Sequence, residues 1–423
     1  MDVVGIDWAW DFHICYSIEK NKIYRIKDNE AGYRELLNEV SKEAVFVIEE
    51  SFNRISDFLL SEGREVYLLP PKRSKEARGY HSNGIKTDSL DARSIALTYS
   101  EHPEYCIRAR NNEEGRSFRE QLRVYRYYKD EASRLKNKLH NELHDHFPEF
   151  VEVMGNWKKN KGKILLLSIT DELKSLSIEE IHNYFKENQI AFTNSLRKKA
   201  KELKKREWHI TKYTLMMVAN AARHLLEVER GKQEMKNEME RNLKESKYRV
   251  ILSLPGVGVV TGVALVAAFL NHEFGNYRNF QKYCGTVPII IQSGNFRKCV
   301  MRKHCDRNLK GILHMMALSA VNKGSWMKGY YARKIKEGKS FGHALRALAN
   351  TLVKIAFAML KSLKPYDEEL FLSSRGNKSP QSNYTTKTST LETEKKTNEK
   401  SSLPVSVAQT NCHLGTDSGR LSP

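Results

Sequence analysis

Up to Leu69 the apolar residues come in short uninterrupted runs, and beyond Phe118 they recur at helical spacing. The runs Val3-Val4-Gly5-Ile6, His13 to Ile18, Ile23 to Ile26, Val45-Phe46-Val47-Ile48 and Val66-Tyr67-Leu68-Leu69 have the length and β-branched content of buried strands. Tyr33 to Lys42 and Ile55 to Ser61 read as helices between them, the second closed by Gly63. Asp28-Asn29 reads as a turn, and Pro70-Pro71 as the stop of the fifth strand. A loop rich in Lys, Arg and Gly then precedes a helix from about Asp88 to Ser100.

The order β-β-β-α-β-α-β-α predicts an α/β domain of the ribonuclease H-like (RuvC-like) class over residues 1–112. The apolar positions Leu122, Tyr125, Tyr128, Ala132, Leu135, Leu139 and Leu143 then step by three and four along one helical face, with Arg123, Arg126, Lys129, Arg134, Lys136 and Lys138 on the others. Pro148 ends that helix. A second helical stretch, from roughly Asn194 to Glu245, completes an expected long helical (coiled-coil) hairpin over 113–245. Residues 246–365 form a mainly α unit that opens on Leu254-Pro255-Gly256-Val257-Gly258, a pattern fitting the hairpin of a helix-hairpin-helix or a plain Gly-Pro turn between packed helices, and ends on a helix near Phe341 to Ser362. From 366 to 423 the chain is rich in Ser, Thr, Asn and Lys, too poor in large apolar residues to offset its ordering entropy, and a disordered tail is expected.

Charge narrows the function. The 423 residues carry 71 Lys and Arg against 51 Asp and Glu, a formal net charge of +20. Folding does not need such an excess, which suits a polyanionic partner, nucleic acid first. The six cysteines form no Cys-x-x-Cys pair, which argues against a zinc ribbon and fits a reducing compartment. The N-terminus has no basic segment followed by an apolar one, and the run Val257 to Leu270 is too short to span a bilayer. A cytoplasmic protein without a membrane segment is expected.

Carboxylates supply the candidate chemistry. Asp7 follows the first strand, Glu49-Glu50 follow the strand at 45–48, and Asp88 and Asp91 stand at i and i+3 on one helix face. Cleaving a phosphodiester calls for charge stabilisation on the attacking and leaving oxygens, which two divalent ions about 3.5–4 Å apart provide. Mg²⁺ takes oxygen ligands. Asp7, Glu50, Asp88 and Asp91 are thus candidate catalytic metal ligands. Only one of Glu49 and Glu50 can face the site, because neighbouring strand residues point opposite ways. Asp88 as a helix N-cap, with Asp91 favoured by the helix dipole, is the competing reading.

Gly5-Ile6-Asp7, Glu50-Ser51, and Lys86-Thr87-Asp88-Ser89-Leu90-Asp91-Ala92-Arg93 resemble the DEDD motifs of the IS110/IS1111 family of transposases. The C-terminal part is similar too, through Leu254-Pro255-Gly256-Val257-Gly258, Gly285-Thr286-Val287-Pro288, Ser293-Gly294, Lys303 and Asn308-Leu309-Lys310. The sequence departs from the family at Glu50-Ser51-Phe52-Asn53, where Glu-Ala-Thr-Gly is usual, and at Cys305, where glycine is common. That alignment favours Glu50 over Glu49. The resemblance implies a RuvC-like domain with bound Mg²⁺, and a second domain whose nucleophilic serine is Ser293, with Arg297, Lys298, Arg302 and Lys303 beside it to steady a phosphate. It implies DNA at the element's ends and target as substrate, a structured non-coding (bridge) RNA as guide, and assembly as a dimer or tetramer. Lys72, Arg73, Lys86, Gly256 and Gly258 are further nucleic-acid-binding candidates, the glycines through backbone N–H groups. A site-specific invertase of the same family, a RuvC-like junction nuclease using water, and a non-catalytic nucleic-acid-binding protein are the alternatives. A sugar-kinase or actin-like ATPase, which also begins with a Gly-Ile-Asp strand, ranks below them because the first domain has no phosphate-binding glycine loop.

Overall fold

A computed structural model describes residues 2–376 except 50, 51, 82, 83, 295, 304 and 324. Strands β1 (Val3–Asp7), β2 (Phe12–Ser17) and β3 (Lys22–Lys27) lead to α1 (Glu30–Glu39), β4 (Val45–Glu49), α2 (Arg54–Ser61), β5 (Glu65–Leu69), α3 (Pro71–His81), α4 (Asp88–Glu101) and the short β6 (Ile107–Arg108). They form a six-stranded sheet in the order β3-β2-β1-β4-β5-β6. β1, β4 and β5 are parallel, while β2, β3 and β6 join antiparallel. This mixed sheet with flanking helices fits the ribonuclease H-like class. Alternation along each strand feeds two cores. Val4, Ile6, Phe46 and Ile48 pack with α1 and α2 on one face, and Val3, Val45 and Val47 pack with α4 on the other.

Two 34-residue helices follow, α5 (Glu113–His146) and, after α6 (Pro148–Met154), α7 (Lys161–Leu167), α8 (Ile178–Glu187) and α9 (Asn194–Lys205), α10 (Lys212–Glu245). α5 and α10 lie along each other, with Tyr128 against Gly231 and Lys136 bonded to Glu229 at 2.6 Å. The stretch expected as one helix from Asn194 to Glu245 is broken at 206–211. Thr211 caps α10 through the backbone N–H of Thr214, and the Trp208 indole donates to the Leu203 carbonyl at the end of α9. Residues 147–203 pack into one core with Ala132 to Leu143 of α5 and Val218 to Val228 of α10, centred on Phe147, Phe150, Trp157, Leu165 and Phe185.

The C-terminal part is mostly helical: α11 (Val259–Asn271), α12 (Tyr277–Tyr283), the hairpin β7 (Ile289–Ser293) and β8 (Phe296–Val300), α13 (Arg307–Lys323), α14 (Ser325–Lys336) and α15 (Phe341–Ser362). α15 is long and apolar enough to cross a membrane by length and composition, but Leu345, Leu348, Leu352 and Val353 are buried in a helical core. Residues 1–367 make one compact unit. α16 (Glu368–Gly376) belongs to a second and lies within the stretch expected to be a disordered tail, the remainder of which is outside the described residues.

Backbone pairing ties the C-terminal part to the sheet. Ala109 bridges to His272, Arg110 N–H donates to Asn271 O, and Glu273 N–H donates to Arg108 O. Asn271 Nδ2 donates to Gly115 O at 2.7 Å, and the buried His272 ring meets Phe52 edge-on. Its Nδ1 lies 2.9 Å from Ala268 O, so Nδ1 holds the proton of a neutral ring. Burial lowers the His272 pKa from 6.5 to about 4. The unfolded chain therefore binds this proton first, and stability is lost as pH falls from 6.5 towards 4, by up to about 3 kcal/mol. Urea titrations at pH 7.5 and 4.5 should reveal that loss in the parent, and His272→Phe should remove most of it.

Candidate active site

Asp7 and Glu49 end adjacent parallel strands. Ile6 pairs in register with Ile48, which sets the two acids next to each other at the carboxyl edge of the sheet. Val47 faces α4, so Glu49, two residues on, faces the same way as Asp7, which continues the Val3–Gly5 side of β1. The expected ligand Glu50 lies outside the described residues.

A glycine brings the remaining acids in. A β-carbon at Gly5 would lie 2.1 Å from the Ala92 carbonyl oxygen and 2.6 Å from the Ala96 nitrogen, so α4 crosses β1 in direct backbone contact. That contact holds the first turn of α4 beside the end of β1. Thr87 is the N-cap, accepting from Leu90 N–H at 3.2 Å, which leaves both acids of the first turn, Asp88 and Asp91, free of capping duty.

The charges interact. The Asp7 pKa is raised from 3.8 to about 6 by burial first, then by Asp91, Asp88 and Glu49, with Lys86 acting in opposition. Glu49 is raised by burial and by Asp91, and restrained by the Ser74 hydroxyl, Arg78 and Lys86. A carboxyl shifted upward holds its proton more firmly in the folded chain. Its contribution to stability is therefore complete below about pH 4 and is lost as pH rises through 6. Near neutrality the cluster costs stability that a cation would restore.

Arg78 partly supplies that cation. Its Nε donates to Asp91 Oδ1 at 2.6 Å and its Nη2 to Oδ2 at 3.0 Å, a bidentate pair on a carboxylate only 5 % exposed. α3, which carries Arg78 and Ser74, occupies part of a segment expected as a loop. Its apolar stripe is reduced to Ala77 beside Ser74, and Pro71 starts the helix where it was expected only to stop a strand. Arg73 pairs with Glu76 at 2.8 Å and stacks on Tyr105 at 3.9 Å, while Lys72 pairs with Glu76 at 2.9 Å. Lys86 is exposed. Carboxylate oxygens suit a hard divalent cation, although among the described residues no three Asp, Glu, His or Cys side chains are drawn together tightly enough to enclose one.

Ser293 is elsewhere. It ends β7 on a hairpin whose described residues are exposed from Ile290 to Cys299, paired with Phe296 and followed by Gly294 at φ +53°. Arg297 and Lys298 stand on the opposing strand, and Arg302 donates to Val287 O at the hairpin's base. The charges named for Asp7 all lie within residues 49–91, and none is on this hairpin. Cys305 packs against Gly285, where a β-carbon would lie 2.3 Å from the Cys305 Sγ and where the φ of +69° also favours glycine. Gly256, at φ +90°, lies against the backbone of α13 at Met316, so close packing accounts for that glycine, whereas Gly258 is the uncrowded N-cap of α11. Sequence reasoning missed the roles of Ser74 and Arg78 at the carboxylates, because nothing in spacing marks a basic residue as an acid's partner.

Known proteins share this arrangement of parts. Residues 4–148 match the DEDD transposase family of IS110, and residues 248–332 match the family described as Transposase IS116/IS110/IS902. The uncharacterized 44.8 kDa protein of insertion element IS116 from Streptomyces clavuligerus is 22% identical over 324 residues, 74% of this chain and 79% of the relative. The uncharacterized 42 kDa protein of IS900 from Mycobacterium paratuberculosis is 22% identical over 395 residues, 86% of this chain and 96% of the relative. The 43.6 kDa protein of IS110 from Streptomyces coelicolor is 29% identical over 126 residues, 29% and 30% of the two chains.

If the contact at Gly5 sets the site, Gly5→Ala should cost about 3 kcal/mol or more by denaturant titration. Gly275→Ala, in open space on the surface, should leave stability within about 0.5 kcal/mol of the parent.

Proposed function

From the premise that this chain belongs to the IS110 family of transposases, we propose that it cleaves and rejoins DNA at insertion-sequence ends and target through two sets of residues. Asp7, Glu49, Asp88 and Asp91 hold Mg²⁺, and Ser293 is the nucleophile. The observation that carries the reading is the convergence of these carboxylates at one sheet edge, where burial and then their mutual repulsion raise Asp7 to about 6. Glu49 replaces Glu50 in this assignment because it shares the α4 side of the sheet with Asp7 and couples to Asp91.

Ser293 Oγ attacks a backbone phosphorus, the new Oγ–P bond replaces one sugar oxygen, and that sugar leaves as a hydroxyl. The phosphoserine link keeps the bond energy for the reverse attack by another sugar hydroxyl. Bound at the carboxylates, the metal would supply positive charge to the attacking and leaving oxygens. Lys298, which the register sets on the same face of the hairpin as Ser293, steadies the phosphate, while Arg297 serves the opposite face. Arg78 balances Asp91 through two hydrogen bonds. A structured RNA encoded at the element's ends pairs with donor and target and sets the sequence, leaving the protein to read shape, in the manner of other RNA-guided systems. The net charge of +20 supports such a partner. Assembly as a dimer or tetramer would bring two sets of these residues to one DNA junction.

A cleavage assay with end DNA, the flanking transcript and Mg²⁺ on a denaturing gel tests this. A protein–DNA adduct is expected from the parent and should be absent from Ser293→Ala and Asp7→Asn. Cleavage without an adduct, unaffected by Ser293→Ala, would instead favour a metal-only nuclease. Glu49→Gln should lower the rate at least about 100-fold, and Glu50→Gln should change it less than about threefold. The reverse ranking would return the ligand role to Glu50.

A further inference from the structure

One residue beyond Asp7 the chain leaves the sheet as Trp8-Ala9-Trp10-Asp11, and Trp10 is 84 % exposed. A tryptophan can remove 150–250 Å² from water when buried, more than most side chains, so leaving one outside calls for a cause. This one is not loose at its base. The Trp8 and Trp10 rings lie 5.4 Å apart, Trp8 and His13 lie nearly parallel at 6.5 Å, His13 stacks on Tyr33 at 5.9 Å, and Tyr33 meets Phe58 at 5.2 Å. Five rings thus run from the apolar core beneath α1 and α2 out to solvent.

Hydrogen bonds fix the column and the loop together. Ala9 N–H donates to His13 Nδ1 at 3.3 Å, so Nδ1 is the unprotonated nitrogen, and Nε2 carries the proton towards Asp28 Oδ1 at 3.2 Å. Tyr33 O–H donates to the same carboxylate oxygen, and Asp28 N–H donates to Asp11 O. His13 is fully buried, though a core position needs no imidazole. Its polar atoms serve the loop that carries the two tryptophans.

Two exposed cations stand at the inner end of the column, where Arg34 lies over the Phe58 ring at 5.5 Å and Arg54 donates to Asp28 O, while Arg25 and Lys27 lie with Phe12 on the other face of the sheet. Trp10 is three residues beyond Asp7, at most about 11 Å of chain. That is within reach of nucleotides flanking a phosphate held at Asp7.

We infer that Trp10, seated on Trp8 and the His13–Tyr33 column, is a stacking platform for an unpaired nucleobase of the DNA strand processed at the carboxylate edge. The inference rests on the reading of that edge as the DNA-cleaving site. Strand cleavage and exchange require bases out of their stack, and an aromatic face accepts any of them without sequence preference, which suits a protein whose sequence choice lies elsewhere. The position of Trp10, three residues along the chain from Asp7 and exposed at the carboxyl edge of the sheet, favours this occupant over an apolar protein surface.

The test uses the full chain without added metal, a single-stranded oligodeoxynucleotide containing 2-aminopurine, and the fully paired duplex of the same sequence. The parent should quench the 2-aminopurine fluorescence on binding the single strand. Trp10→Ala should abolish the quench and weaken single-strand binding about tenfold, while duplex binding stays within twofold of the parent. Trp10→Phe should restore most of the quench. Equal quenching by the parent and Trp10→Ala would overturn the platform, as would a Trp10→Ala variant whose only change, by sedimentation, is loss of self-association. The measurement needs neither metal nor cleavage, so it separates the two readings. Quenching by the parent, lost in Trp10→Ala, while the parent itself forms no adduct with Mg²⁺ would remove the catalytic assignment alone. Unaltered adduct formation with no quench in any variant would remove the platform alone.

Discussion

Helix α4 touches strand β1 backbone to backbone, and the site depends on that contact. Only glycine at position 5 allows Ala92 and Ala96 to approach so closely. The approach sets the first turn of α4 at the end of β1, and with it Asp91 and Asp88 near Asp7. A ribonuclease H-like sheet could carry these acids on an ordinary helix at ordinary distance, and their charges would then scarcely interact. Here burial first, and then repulsion from Asp91, Asp88 and Glu49, raise Asp7 from 3.8 to about 6. The contact thus converts packing energy into electrostatic tension among the acids.

Local partners keep this tension tolerable. Arg78 grips Asp91 with two hydrogen bonds, Ser74 reaches Glu49 at 3.4 Å, and both come from α3. The acids are therefore neutralised from a neighbouring helix rather than from their own. The serine hairpin contrasts with them. It is exposed on both sides, and a two-stranded ribbon is marginal by itself, so the environment that makes Ser293 reactive in the proposed chemistry has to be completed by what docks there.

The sheet was legible in the sequence because buried parallel strands are short apolar runs and each one announces its end. Five of the six strands and helix α4 fall where the runs placed them. The exception, β6, has two residues and is defined by pairing, not pattern. α3 escaped notice because it buries only Ser74 and Ala77, leaving no stripe to detect. The break at 206–211 was hidden because lysines and leucines at helical spacing continue up to it. Adjacent glutamates defeat any reading by spacing, and here the family alignment pointed to Glu50 while the pleat of β4 favours Glu49. The pairing of Arg78 with Asp91 and the ring column under Trp10 are contacts between distant segments, and periodicity carries no information about them. Ser293 had no signal of its own beyond a Ser-Gly turn.

The paired helices α5 and α10 set a length. Each has 34 residues, about 50 Å at 1.5 Å per residue. Their contacts extend from Phe118 with Leu243 at one end, through Tyr128 with Gly231, to Leu135 with Leu225 towards the other. At Gly231 the Tyr128 ring fills the space a β-carbon would take, so neither helix can slide past the other without a clash. The pair is a stiff spacer. Its half away from the sheet is itself part of the core that residues 147–203 complete, so those short helices move only with the pair and any load on them passes along it to the sheet.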